Sequence, residues 1–139
     1  MIQGIWHIAV STKDMERSLW FYCDVLGGIH MKELSIEEPA GQPLIEIVQF
    51  RGECYLELFY PRKEHPLGEE LGRNHFCLYT DDIFALEERL GRYWVLVTTQ
   101  PQMARDKNLQ MWIQDPNGYR VEIMQVTSDC PLLKKKQEV

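Results

Sequence analysis

The chain has no surplus of positive charge: 15 Lys and Arg stand against 21 Asp and Glu, a formal net charge of −6. That excludes nucleic acid as the expected partner, because holding a phosphate backbone takes a concentration of Lys and Arg. The one basic run, Lys134-Lys135-Lys136, reads as part of a solvated tail. Long apolar runs are missing as well. Nothing approaches the roughly 20 residues that span a bilayer, and the N-terminus has no basic segment leading into an apolar one. No membrane partner is expected, and the expected location is cytoplasmic. Paired cysteine spacings are also absent. Cys23, Cys54, Cys77 and Cys130 are spread widely, which excludes zinc-finger and dithiol redox motifs. Cys77 in an apolar strand and Cys23 in a helix read as small buried hydrophobes rather than nucleophiles.

What is present is a repeat. His7-Ile8-Ala9-Val10-Ser11-Thr12-Lys13-Asp14-Met15 returns 68 residues later as His75-Phe76-Cys77-Leu78-Tyr79-Thr80-Asp81-Asp82-Ile83. Leu56-Glu57-Leu58 returns 65 residues later as Val121-Glu122-Ile123. Each half thus offers one His and one Glu inside an apolar run. A bare buried carboxylate is costly, and one divalent ion shared by two neutral imidazoles and two carboxylates removes most of that cost. A mixed nitrogen and oxygen set suits Zn, Ni, Co, Mn or Fe(II) rather than calcium. His30 and His65 have no such echo and read as surface residues. The four tryptophans, Trp6, Trp20, Trp94 and Trp112, read as core.

At 139 residues, with 45% hydrophobic and 26% charged residues, the chain is expected to form one domain spanning 1–139, large enough to enclose a small-molecule site. Ile5 to Val10 reads as a strand. A helix follows, capped by Thr12 or Asp14, with Met15, Leu19, Tyr22 and Leu26 on one face and Gly27-Gly28 at its end. Strands are expected near 29–36, 44–51 and 54–60, the last two joined at Arg51-Gly52-Glu53. The second half repeats the order: a strand at 75–79, a helix begun by Thr80, Asp81 and Asp82 and ended by Gly91, then strands near 94–99, 109–114 and 119–126. Asp115-Pro116-Asn117-Gly118 reads as the last turn. This is an α+β chain of two βαβββ units, about 4–61 and 73–126, with a linker at about 61–72 and a charged tail at 127–139.

Several of these stretches resemble one family. The helix ending Trp20-Phe21-Tyr22-Cys23-Asp24-Val25-Leu26-Gly27, the strand Tyr55-Leu56-Glu57-Leu58-Phe59, and Asp115-Pro116-Asn117-Gly118-Tyr119-Arg120-Val121-Glu122 are similar to the vicinal oxygen chelate superfamily, and within it to glyoxalase I. The resemblance covers roughly residues 4–126. It implies that the paired units form a half-open barrel around a metal held by His7, Glu57, His75 and Glu122. Relatives either close that barrel within one chain or pair units across a dimer, and a homodimer is the expected assembly. A carboxylate at the second ligand position is the glyoxalase-like choice. The resemblance implies a lyase or isomerase that binds a small substrate through two adjacent oxygens and passes through an enediolate, with Glu122 as base and Glu57 as its partner across the site. Arg105, Lys107 and Arg120 are the candidates for binding an anionic substrate group, and of these Arg120, two residues from Glu122 on one strand face, is the expected contact.

One departure stands out. Glutathione-using relatives place Arg four residues after the first His and Asn four after the first Glu, where this chain has Ser11 and Pro61. Neither replaces those contacts, since Ser carries no charge and Pro has neither a polar side chain nor an N–H. A substrate other than the glutathione adduct of methylglyoxal is expected. Two other classes stand beside the leading one: an Fe(II) oxygenase using His7, His75 and Glu122, and a small-molecule binding protein of the bleomycin-resistance type.

Overall fold

The computed structural model describes residues 7–52, 54–61 and 75–130. Trp6, His65, Glu53, all but the first residue of the expected linker and the basic run at 134–136 lie outside them. Two compact units divide the chain, Met1–Glu70 and Leu71–Val139. Each carries a small mixed sheet and one main helix, an α+β arrangement. No helix among the described residues is long and apolar enough to cross a membrane.

Unit 1 runs β1 (His7–Ser11), α1 (Met15–Leu19) continued as a π-helix (Trp20–Val25), β2 (Ile29–His30), a 3₁₀ turn (Lys32–Leu34), β3 (Ile36–Glu37), β4 (Pro43–Phe50) and β5 (Cys54–Phe59). The strand order is β1-β5-β4-β2, with β3 also on β4 and β1 parallel to β5. Asp14 caps α1 by accepting from Arg17 N–H at 3.1 Å. Thr12 instead donates its hydroxyl to the Phe59 carbonyl at 2.8 Å and ties the end of β1 to β5.

The π-winding corrects the expected helix face. Leu26 N–H reaches back five residues to the Phe21 carbonyl, so the turn widens and the stripe shifts. Met15, Ser18, Phe21, Tyr22 and Val25 are buried, whereas Leu19 and Leu26 are only half-buried. The helix ends as expected at the glycine pair. Gly27 takes φ +78°, and a Cβ on Gly28 would stand 2.5 Å from Val48 Cγ1 and 2.7 Å from the Tyr22 carbonyl oxygen. The strand expected over 29–36 is broken: its middle coils into the 3₁₀ turn, leaving a two-residue strand on either side.

Unit 2 runs β6 (His75–Tyr79), α2 (Ile83–Arg92), β7 (Val97–Met103), β8 (Leu109–Gln114) and β9 (Arg120–Gln125), in the order β6-β9-β8-β7 with β6 parallel to β9. The Asp82 carboxylate caps α2, accepting from Phe84 and Ala85 N–H at 3.1 and 2.9 Å. Gly91 lies inside α2 rather than ending it. The reversal falls at Trp94, whose φ is +58° and whose side chain is 94% exposed, with Val95 N–H closing back on the Leu90 carbonyl. Trp94 is therefore not core, and neither is Trp20, which is 36% exposed.

Strand alternation sorts the two faces of each sheet. In unit 1, Val10, Val48, Leu56 and Leu58 are buried with Phe21, Tyr22 and Val25 of the helix. In unit 2, Met111, Ile113, Val121 and Ile123 are buried with Ile83 and Leu90 of α2. Burying side chains of this size contributes about 1.5–3 kcal/mol each. The opposite face of each sheet carries the His and the Glu.

Candidate metal-binding and catalytic site

The two units build their polar faces in the same register. Parallel pairing sets Ala9, two residues after His7, beside Glu57, and sets Cys77, two residues after His75, beside Glu122. Each His therefore lies one diagonal step from its Glu on a shared face. In unit 1, His7 Nε2 is 3.5 Å from Glu57 Oε2. In unit 2, His75 Nε2 is 3.1 Å from Glu122 Oε2. These separations fit a shared cation, because two ligand atoms each about 2.1 Å from one metal stand about 3.0 Å apart in an octahedral site and about 3.4 Å apart in a tetrahedral one. The structure thus brings together His7 with Glu57 and His75 with Glu122. Among the described residues no group of three or more His, Cys, Asp or Glu gathers to hold a metal.

The two carboxylates differ in their surroundings. The Glu57 side chain is 21% exposed, that of Glu122 only 10%. Gln110, on the neighbouring strand β8, donates its amide to Oε1 of Glu122 in a short hydrogen bond. One oxygen of Glu122 is thereby held by Gln110 and the other faces His75. Nothing in the sequence repeat marks Gln110, but alternation along β8 could have found it, since Trp112 faces Glu122 and Gln110 lies two residues away on the same face.

Around His75 the face continues with aromatic and basic groups. The Trp112 ring meets the His75 ring edge-on at 4.8 Å, and the Arg120 guanidinium lies over Trp112 at 4.3 Å. Arg120 is thus on the site face as expected, engaged with the indole by a cation–π contact. Cys77 is exposed rather than a buried hydrophobe. Partial burial of its thiol, then the carboxylates of Glu122 and Asp106, push it up to about 12, the opposite of the shift that activates a thiol. Cys23 is half-buried, and burial followed by the charge of Asp24 pushes its thiol up to about 11.

A second polar cluster in unit 1 carries no mark in the repeat. Glu46 on β4 is 8% exposed and accepts from His30 Nε2 at 2.7 Å, from the Tyr60 hydroxyl at 2.8 Å and from the Ser35 hydroxyl in a short bond. His30 is therefore a half-buried partner of a carboxylate, not a free surface residue. Burial alone would push Glu46 up, but the bonds from Ser35, His30 and Tyr60, with the charge of His30, together hold it below its ordinary value. Burial, then the same bond and the charge of Glu46, push Tyr60 up to about 12. The one sequence signal for this cluster is a charged residue within the apolar run Ile45-Glu46-Ile47.

Comparison with known proteins gives a consistent result. The model of the Glyoxalase/Bleomycin resistance protein/Dioxygenase superfamily matches residues 4–123. The chain is 26% identical over 128 residues to a probable lactoylglutathione lyase of Synechocystis sp., covering 88% of this chain and 95% of that one. Among solved structures it is similar to a lactoylglutathione lyase of Agrobacterium tumefaciens, with a TM-score of 0.67, 21% identity, and 89% and 94% of the two chains covered. It is also similar to TnmS3, an antibiotic-binding protein of Streptomyces sp., with a TM-score of 0.72, 22% identity, and 91% and 98% covered. At these identities the structural likeness speaks for the fold.

Proposed function

Because the chain belongs to the glyoxalase/bleomycin resistance protein/dioxygenase superfamily, we propose that it is a lyase or isomerase that uses one divalent ion per site and acts on a small substrate with two adjacent oxygens. His7, Glu57, His75 and Glu122 would hold the ion. The observation that carries this reading is the repeated register, which brings an Nε2 and an Oε2 to 3.5 and 3.1 Å in the two units. When bound, the ion, as Zn, Ni, Co, Mn or Fe(II), supplies Lewis acidity to the substrate oxygens.

The chain's own groups supply the proton chemistry. Glu122 takes a proton from the carbon that bears the hydroxyl and returns it to the adjacent carbon, so the oxidation states of two neighbouring carbons are exchanged without an external oxidant. Gln110 holds Oε1 of Glu122, so Oε2, which lies 3.1 Å from His75 Nε2, is the oxygen that would loosen to carry the proton. Glu57, more exposed and with only His7 as a close partner among the described residues, would be the counterpart of Glu122 in unit 1. Trp112 braces the His75 ring edge-on, and Arg120 stacks on Trp112. The assembly in this proposal is a homodimer and the location cytoplasmic.

The fold shared with an antibiotic-binding protein supports a second reading, capture of a small molecule without turnover. Retention of both His and both Glu favours the enzyme. The test is metal analysis of purified protein, with light scattering for the assembly, followed by a panel of 2-oxo and 2-hydroxy carbonyl compounds assayed with and without glutathione and oxygen. Bound divalent metal and metal-dependent isomerisation or cleavage are expected. Binding without turnover would establish the second reading, and substrate-linked oxygen uptake would establish an oxygenase.

A further inference from the structure

Next to the Glu122 carboxylate, unit 2 holds a cleft of about 470 Å³ lined by Gln102, Met103, Ala104, Arg105, Asp106 and Gln110. Gln110 ties this cleft to the proposed chemistry, since the same side chain donates to Glu122 Oε1. The loop that forms the far wall is held from several directions. Ala104 N–H donates to the Asn108 carbonyl at 2.8 Å, and Lys107 N–H donates to the Ala104 carbonyl at 3.1 Å, with Lys107 at φ +68°. Asn108 is 1% exposed, and its side-chain oxygen accepts from Thr127 N–H at 3.1 Å.

The two charged residues of the cleft are in opposite situations. Asp106 is committed to the loop, accepting from the Asn108 backbone N–H at 3.2 Å and from Asn108 Nδ2 at 2.9 Å. Arg105 has no ion pair or hydrogen bond among the described residues. A guanidinium on a fixed loop presents a planar fork of donors suited to a carboxylate or a phosphate-type oxyanion. Arg120, the other arginine near Glu122, is already stacked on Trp112.

We propose that this cleft is a subsite for an anionic group of the substrate, with Arg105 as its anchor and Gln110 as the wall it shares with Glu122. The substrate class is then a compound with two adjacent oxygens and a distal negative charge. This rests on the reading of Glu122 as the reacting carboxylate. In a chain of net charge −6, a cation at this place with no ion pair among the described residues selects by position as well as by sign.

Three probes that share a 2-oxo acid head test the assignment: 2-oxoglutarate with a distal carboxylate, 3-phosphonopyruvate with a distal phosphonate, and 2-oxoglutaramate with a neutral distal amide. Binding is followed by NMR titration of the backbone amides of residues 102–106 and 110, in chelator-treated and in metal-loaded protein. At least one charged probe should shift these amides and bind about fivefold or more tightly than the neutral amide, the effect of one modest charge-assisted hydrogen bond. Arg105→Gln should reduce that preference below about twofold, with an unchanged melting temperature because the side chain is exposed. A response to one charged probe alone supports the proposal and identifies the oxyanion. Equal binding of all three probes, or a preference that survives Arg105→Gln, overturns it. A preference lost only in Arg120→Gln also overturns it, because the charge would then sit at Trp112. Shifts in protein that takes up no metal would leave the subsite standing while removing the metal proposal. Metal uptake and turnover without shifts would do the reverse.

Discussion

Gln110 donates its amide to Oε1 of Glu122, whereas Glu57, at the equivalent place in the first unit, has only the His7 ring within reach among the described residues. The repeat is symmetric in its His and Glu and asymmetric in what holds them. Replacing Gln110 by Met removes the donor at nearly constant volume. Metal affinity or turnover should fall by about 10- to 100-fold, the usual effect of losing a partner that orients a ligand. The pH profile of kcat should shift with it, and an unchanged profile with unchanged affinity would show that Glu122 needs no such support.

Glu122→Gln separates binding from proton transfer. The amide keeps an oxygen for the ion but cannot accept a proton at neutral pH, so turnover should drop by about 10²- to 10⁴-fold while metal content changes less. Elemental analysis beside steady-state kinetics reads the two effects. Near-normal turnover would move the base elsewhere, with Glu57 first in line.

Under the four-ligand proposal chelation should destabilise the protein, because an ion so held would bind the folded state preferentially. Metal at about a hundred times its Kd adds about 2.7 kcal/mol, on the order of 10 °C in midpoint for a domain of this size. Thermal unfolding with and without EDTA measures it. An unchanged midpoint in protein that contains no metal would falsify the four-ligand proposal.

Turnover of the methylglyoxal–glutathione hemithioacetal should be poor. Ser11 shares a sheet face with His7 and Pro61 follows β5, at the places where glutathione-using relatives carry Arg and Asn. A lost charged contact of this kind costs about 2–5 kcal/mol, so kcat/KM should fall at least about tenfold below that of a glutathione-dependent enzyme. Efficient hemithioacetal turnover would show that Arg105 or another group has taken over the anchoring.

Acid should loosen unit 1 through Glu46. Its folded carboxyl is held below the ordinary value of 4.5, so the unfolded chain binds the proton more readily. The stability it contributes is complete above that value and is lost as pH falls beneath it. Glu46→Gln should flatten this acid limb and cost about 1–3 kcal/mol at neutral pH, since His30, Ser35 and Tyr60 lose a charged acceptor. Denaturant unfolding at pH 7 and at pH 3.5 checks both effects, and equal pH dependence of variant and parent would refute the assignment.

The His7, Glu57, His75 and Glu122 positions are legible in the amino-acid sequence because they lie in short, period-2 strands whose pattern is stated twice. Alternation along a strand is a local property, so the face of each side chain follows from the sequence once the strand is recognised. Helix starts are legible for the same reason, since Asp14 and Asp82 act within three residues of themselves. Helix interiors and ends are less so. The π-winding of Trp20–Val25 depends on what packs against it, the left-handed turn at Trp94 falls on a residue that is not glycine and so carries no sequence mark, and Gly91 carries no local instruction strong enough to stop α2. Ser35, which flanks the 3₁₀ turn at Lys32–Leu34, belongs to the cluster around Glu46, whose three partners, His30, Ser35 and Tyr60, come from three separate stretches of chain. Gln110 and Arg105 acquire meaning only when β8 is laid beside β9 and the 104–108 loop folds over the cleft. Residues that act through their own strand are determined by the sequence alone; those that act through a neighbouring strand or loop are decided by the tertiary structure, because hydrogen bonding across elements leaves no period in the sequence.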